Sequence, residues 1–137
     1  MSVLGKVLPI PCTLEGDFFY QWMNYLTPVH GLTKAQAKMV AEFLKERYNL
    51  SKSIVDNDEL LDRILMSPDT KKKIRARLNL KESHFQVIWG ALKQKGVIIN
   101  NKLNRSYIPN TNGKDFKVVL YFKFTDVEQG DTAEDSN

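Results

Sequence analysis

Ser83 and His84 stand side by side, and a hydroxyl beside an imidazole is the pairing that nucleophilic catalysis uses. Both lie in a stretch with helical spacing, where neighbouring side chains point about 100° apart, so they make no dyad. Asp56, Asp58, Glu59 and Asp62 are the ligand type for a divalent cation. They lack the glycine turn and distal glutamate of a calcium loop, and their charges suit a helix amino terminus instead. Cys12 is the only cysteine, so an internal disulfide is excluded. It is expected to be a small core residue. His30 and His84 are far apart, without the paired ligand spacing of zinc sites. No glycine-rich phosphate loop occurs. The chain is therefore expected to be no enzyme, with no catalytic residue, no metal and no cofactor.

The chemistry that the sequence does concentrate is electrostatic. From residue 70 to 114 there are eleven Lys or Arg and one acid, Glu82, which makes this stretch +10. Residues 1–69 carry −2 and residues 115–137 carry −4, so the net +4 conceals a strongly basic segment. Such an excess attracts polyanions, because each neutralised phosphate releases condensed counterions. Nucleic acid is the first partner to expect, against the plainer reading of a solvated basic face.

With 137 residues the chain suits one domain with a true core. Residues 1–125 are expected to form it, with 126–137 as an acidic, disordered tail. No apolar run reaches the roughly 18 residues that a membrane span needs, and no secretory signal precedes the domain. A cytoplasmic compartment and no membrane partner follow as expectations.

The elements that must position the basic residues can be drawn from periodicity. Pro9 and Pro11 make the amino end an edge strand or a packed arm. A short helix starting near Asp17 carries Phe18, Phe19, Trp22 and Leu26, residues 27–31 form a turn, and Thr33 with Gln36 makes a capping box. The helix after it aligns Met39, Val40, Phe43, Leu44 and Tyr48, leaving Lys34, Lys38, Glu42, Lys45 and Glu46 to water. Leu60, Leu61, Ile64 and Leu65 mark a further helix, and Ser67-Pro68 starts the basic one, with Ile74 and Leu78 inward. A break at residues 79–81 precedes a helix from about Glu82 to Lys95, closed by Gly96. It buries Phe85, Ile88, Trp89 and Leu92 and turns Ser83, His84, Gln86, Val87, Gly90 and Gln94 outward. Residues 97–99 and 106–108 are expected to pair as a β-hairpin. Residues 116–124 alternate as a strand with one apolar face.

Two helices joined by a three-residue break, then a glycine and a hairpin, resemble the winged helix-turn-helix family. The spacing from Ser83 to Gly96, closing on LKQKGVI (residues 92–98), is similar to the recognition helix and wing entry of MarR-like proteins. The resemblance covers roughly residues 33–109. It implies an α+β fold, a winged helix-turn-helix with an N-terminal arm and an additional C-terminal β-strand. It further implies a DNA-binding protein of the transcription or replication factor type, in the cytoplasm of a bacterial host. Ser83, His84, Gln86 and Val87 would face base edges, with Gln86 suited to adenine, His84 to guanine and Val87 to a thymine methyl. Lys71, Lys72, Lys73, Arg75, Arg77, Lys81, Lys102 and Arg105 would take phosphates. Winged-helix regulators are often dimers, so a homo-oligomer is implied, although no heptad segment offers an interface.

The outward face of this helix departs from the pattern, because it has no Arg or Lys to grip guanine and carries Val87, Gly90 and Ala91. Such a surface also suits packing against protein. The stretches FFYQWMNYLTPVHGLTKAQ (residues 18–36), FLKERYNLS (43–51) and SYIPN (106–110) resemble small proteins of crAss-like tailed phages. That resemblance implies a bacteriophage product: a DNA-handling factor, or a neck, ring or adaptor component of the virion that uses the fold for assembly with other phage structural proteins near DNA.

Overall fold

The computed structural model describes residues 7–125. The acidic tail, 126–137, lies outside them, as do residues 1–6. Six helices and one two-stranded antiparallel sheet make up the described chain, so its composition is α+β with helix dominant.

Four helices pack on α3 (Lys34–Ser51): α1 (Phe18–Tyr25), α4 (Asp58–Leu65), α5 (Pro68–Arg77) and α6 (Glu82–Gln94). Thr33 opens it with the expected capping box, its hydroxyl accepting from the Gln36 amide while the Gln36 side chain accepts from the Thr33 amide. Met39, Val40, Ala41 and Phe43 are all fully buried, so α3 is covered around most of its circumference and not on one stripe. Phe43 meets Trp89 of α6 with ring centroids 5.1 Å apart, and Trp89 stacks on Phe85 at 5.9 Å. Truncating Phe43 to alanine would cost about 3–5 kcal/mol, a large part of a domain's whole stability.

Burial around α3 corrects one expectation. Glu42 and Glu46 do not face water; both are buried, because α5 crosses them and supplies cations. Cys12 is corrected in the opposite direction, being exposed in an amino segment without regular structure or strand pairing. Residues 27–31 form a helical turn, α2 (Thr27–His30), which Gly31 ends at φ 62°. His30 then bridges two backbones: the Leu32 amide donates to Nδ1 at 2.9 Å, which leaves Nε2 to donate to the Met23 carbonyl at 2.9 Å.

The hairpin is tighter than its sequence suggests. Strand β1 (Ile98–Ile99) pairs with β2 (Lys102–Leu103), not with residues 106–108, in the register Ile98 to Leu103 and Ile99 to Lys102. Asn100 and Asn101 both sit at positive φ, 53° and 58°, the two-residue turn that asparagine tolerates and that matches strand twist. The chain thus reverses at once. Arg105–Tyr107 becomes a 3-10 turn, with the Asn104 side chain accepting from the Ser106 amide.

The additional C-terminal strand is absent: residues 113–125 have no regular structure. A strand needs an edge to pair with, and the one sheet offers two residues per strand. What holds this segment is its beginning. Trp22 donates to the Tyr107 carbonyl at 2.8 Å, and Phe116 meets Trp22 at 5.2 Å and Phe18 at 5.8 Å, both edge to face.

Candidate nucleic-acid interface

Helix α5 begins where Ser67 caps it, accepting from the Thr70 amide at 3.3 Å, with Pro68 in the first turn. The buried Thr70 hydroxyl donates to the Ile64 carbonyl at 2.8 Å and ties α5 to the end of α4. Ile74 is its deep anchor. The turn into α6 passes through Asn79 in the left-handed region, φ 56°, and the Leu80 amide donates to the Arg75 carbonyl. Lys81 stands at the start of α6 without a side-chain cap, so the first amides of this helix have no side-chain acceptor.

Along α6, Phe85, Ile88, Trp89 and Leu92 are buried. Ser83, His84, Gln86 and Val87 are all exposed, as the spacing predicts, and Gly90 is exposed with them. A β-carbon added at Gly90 would meet nothing within 4 Å. The exposed surface of α6 is thus shallow and close to neutral, with Val87 its main apolar projection.

The eight cations expected on phosphates divide into four groups. Lys73 and Arg77 are drawn inward to α3: Lys73 Nζ lies 3.2 Å from Glu46, and Arg77 lies 2.9 Å from Glu46 and 3.7 Å from Glu42. Arg75 pairs with Glu82 at 3.2 Å, and Arg105 with Asp62 at 3.4 Å and Asp58 at 3.8 Å. Lys71 is half-buried, its ammonium 4.6 Å from the Trp89 ring centre. Burial, helped by the nearby Lys93 charge, holds Lys71 below the usual lysine range. Lys72, Lys81 and Lys102 alone of the eight are exposed with no ion pair among the described residues.

Sequence reasoning missed the counterions. Glu42 and Glu46 lie 27 to 35 positions before their partners, and only the amphipathic spacing, which wrongly placed them outward, bore on them. Lys93, whose charge reaches Lys71, was also passed over.

The acidic group divides in the same way. Asp62 is buried and receives Arg47 at 3.6 Å and Arg105, so its charge is spent within the protein. Among the described residues no three His, Cys, Asp or Glu converge to hold a metal ion. An open cleft of about 860 Å³ lies beside these pairs, lined by Arg47, Tyr48, Val55, Asp58, Arg105 and Asn110 among others, none from α5 or α6. It contains no histidine or cysteine, and its one serine, Ser51, donates to the Tyr48 carbonyl at 2.6 Å. No helix of the described residues is long and apolar enough to cross a membrane. Comparison with protein families, with curated proteins and with solved structures finds no match for this chain.

Proposed function

We propose that the protein is a non-enzymatic DNA-binding protein of the transcription or replication factor type, using α5, α6 and the hairpin as a winged helix-turn-helix. The observation that carries this reading is the division of the basic segment. Paired cations hold α5 against α3, while Ser83, His84, Gln86 and Val87 on α6 and the unpaired Lys72, Lys81 and Lys102 stay open to a ligand. Gln86 would read adenine and His84 guanine, and the lysines would position the duplex through phosphates.

Of the eight cations expected on phosphates, the three left exposed and unpaired set a modest footprint. Each neutralised phosphate lowers log affinity by about 0.9 per log unit of salt, so Lys72, Lys81 and Lys102 contribute a slope of about −3, not the −7 of eight engaged cations. Titrating random and selected duplexes at several salt concentrations tests it. Salt-sensitive binding with a preferred sequence is the expected result; no binding at low salt would end the proposal.

A second reading, a virion neck, ring or adaptor component assembling near DNA, is favoured by the shallow α6 surface and by the exposed apolar residues 118–124. Under that reading DNA contact is weak and sequence-blind, and the protein is found in an assembly.

A further inference from the structure

The largest apolar exposure among the described residues falls on one continuous stretch. Val119 is 88 % exposed, Leu120 62 %, Tyr121 77 %, Phe122 70 % and Phe124 93 %. Contiguous apolar surface on this scale marks an interface. The stretch also has strand periodicity: Val118, Leu120, Phe122 and Phe124 alternate with Lys117, Val119, Tyr121 and Lys123. No backbone hydrogen bond among the described residues engages 113–125, and the hairpin is too short to supply an edge. Whatever covers this stretch must bring a strand of comparable length.

We propose that a second copy of the chain brings it, residues 117–125 of two molecules pairing antiparallel about a two-fold axis at Tyr121. Pattern and charge select this arrangement. In a two-fold antiparallel pair, facing residues must lie on the same face, so the register moves only in steps of two. Centred on Tyr121, the pairs are Lys117 with Thr125, Val118 with Phe124, Val119 with Lys123, Leu120 with Phe122, and Tyr121 with itself. One face is then wholly apolar on both strands, and no like charges oppose. Centring on Leu120 sets Lys117 against Lys123 twice; centring on Phe122 puts Asp126 opposite Val118 on the apolar face. A parallel, in-register pair stacks Lys117 on Lys117 and Lys123 on Lys123. A two-stranded ribbon is marginal by itself. This one begins at Phe116, already seated on Phe18 and Trp22, so its apolar face is continuous with the aromatic surface of α1. The pairing does not rest on DNA binding.

The experiment uses the full chain carrying Cys12→Ser, with a single new cysteine introduced by Tyr121→Cys or by Val119→Cys. Across the proposed axis the two Tyr121 positions face each other, within disulfide reach, whereas the two Val119 positions are displaced by four residues, ~14 Å along the strand and far beyond the ~7 Å limit for bridging α-carbons. Under mild oxidation the Tyr121→Cys variant should form a covalent dimer and the Val119→Cys variant should stay monomeric. Sedimentation of the unaltered chain at micromolar concentration should give a dimer, and Leu120→Lys, outside the core, should give a monomer with unchanged helical circular dichroism. A monomeric unaltered chain, or equal crosslinking from both cysteine positions, would overturn the proposal.

Discussion

Glu46, on the central helix and only 4 % exposed, receives the Arg77 guanidinium of α5 at 2.9 Å. Lys73 reaches its other oxygen at 3.2 Å. One buried carboxylate thus pairs with two cations of the basic helix and fixes that helix to the core. A buried acid with half-exposed partners is worth less than a fully buried pair, because water screens the cations. Replacing Glu46 with alanine should destabilise the fold by about 1–3 kcal/mol, as read by chemical denaturation. It should also release Lys73 toward solvent, while Arg77 keeps Glu42 at 3.7 Å. Under the DNA-binding proposal the salt slope then steepens by about 0.9, one phosphate for the released cation. An unchanged slope would show that Lys73 stays away from the ligand.

Lys72, Lys81 and Lys102 should each carry one phosphate, whereas Arg75 and Arg105 are held by acids. Alanine at any of the three lysines should flatten the slope by about 0.9, and alanine at Arg105 should change it much less. Arg105→Ala should instead lower stability, because the buried Asp62 loses a partner at 3.4 Å. Salt titration and denaturation of the same variants separate the two effects.

Gly90 tests whether anything closes over α6. Its added β-carbon would meet nothing in the isolated protein, so Gly90→Ala should stabilise the helix by about 0.5–1 kcal/mol. If α6 lies in a groove, the extra methyl should weaken binding while the melting temperature rises. A variant that is both more stable and fully active would place the ligand elsewhere.

Lys71 should lose its proton at lower pH than an ordinary lysine, first because it is half-buried and then because of Lys93. The folded protein therefore binds fewer protons than the unfolded chain between the depressed value and about 10.4. Stability should rise with pH across that window, and the cost of the buried charge is fully present below it. Following the Lys71 side-chain signal by NMR gives the titration directly. Lys93→Gln should move it back toward the ordinary range; no movement would leave burial as its only cause.

Trp22 links α1 to the chain after the hairpin through its indole N–H on the Tyr107 carbonyl. Trp22→Phe keeps a ring against Phe116 but leaves that carbonyl short of a donor, at a cost of about 1–2 kcal/mol. Hydrogen exchange around residues 105–116 should speed up before the helical core responds.

Much of the helical fold was legible in order along the chain. Thr33 with Gln36, Ser67 with Pro68, and Gly96 at φ 77° act within one turn of themselves, so their signals are local. Faces could be read where a helix has one buried side, as α6 does. The reading failed on α3, where Glu42 and Glu46 keep polar spacing yet are roofed by α5. It failed again at the hairpin, where two asparagines reverse the chain earlier than the apolar runs imply.

The sequence by itself determined where α3, α5 and α6 begin, which side of α6 is apolar, and that a dense block of cations follows residue 70, because each depends on neighbours a few residues apart. Only the tertiary structure decided which of those cations remain free, since all their acids but Glu82 arrive from α3 and α4 across tens of residues. It also decided that residues 116–124, strand-like in pattern, stay unpaired, because a β-strand is completed by another edge and the described residues contain none of sufficient length.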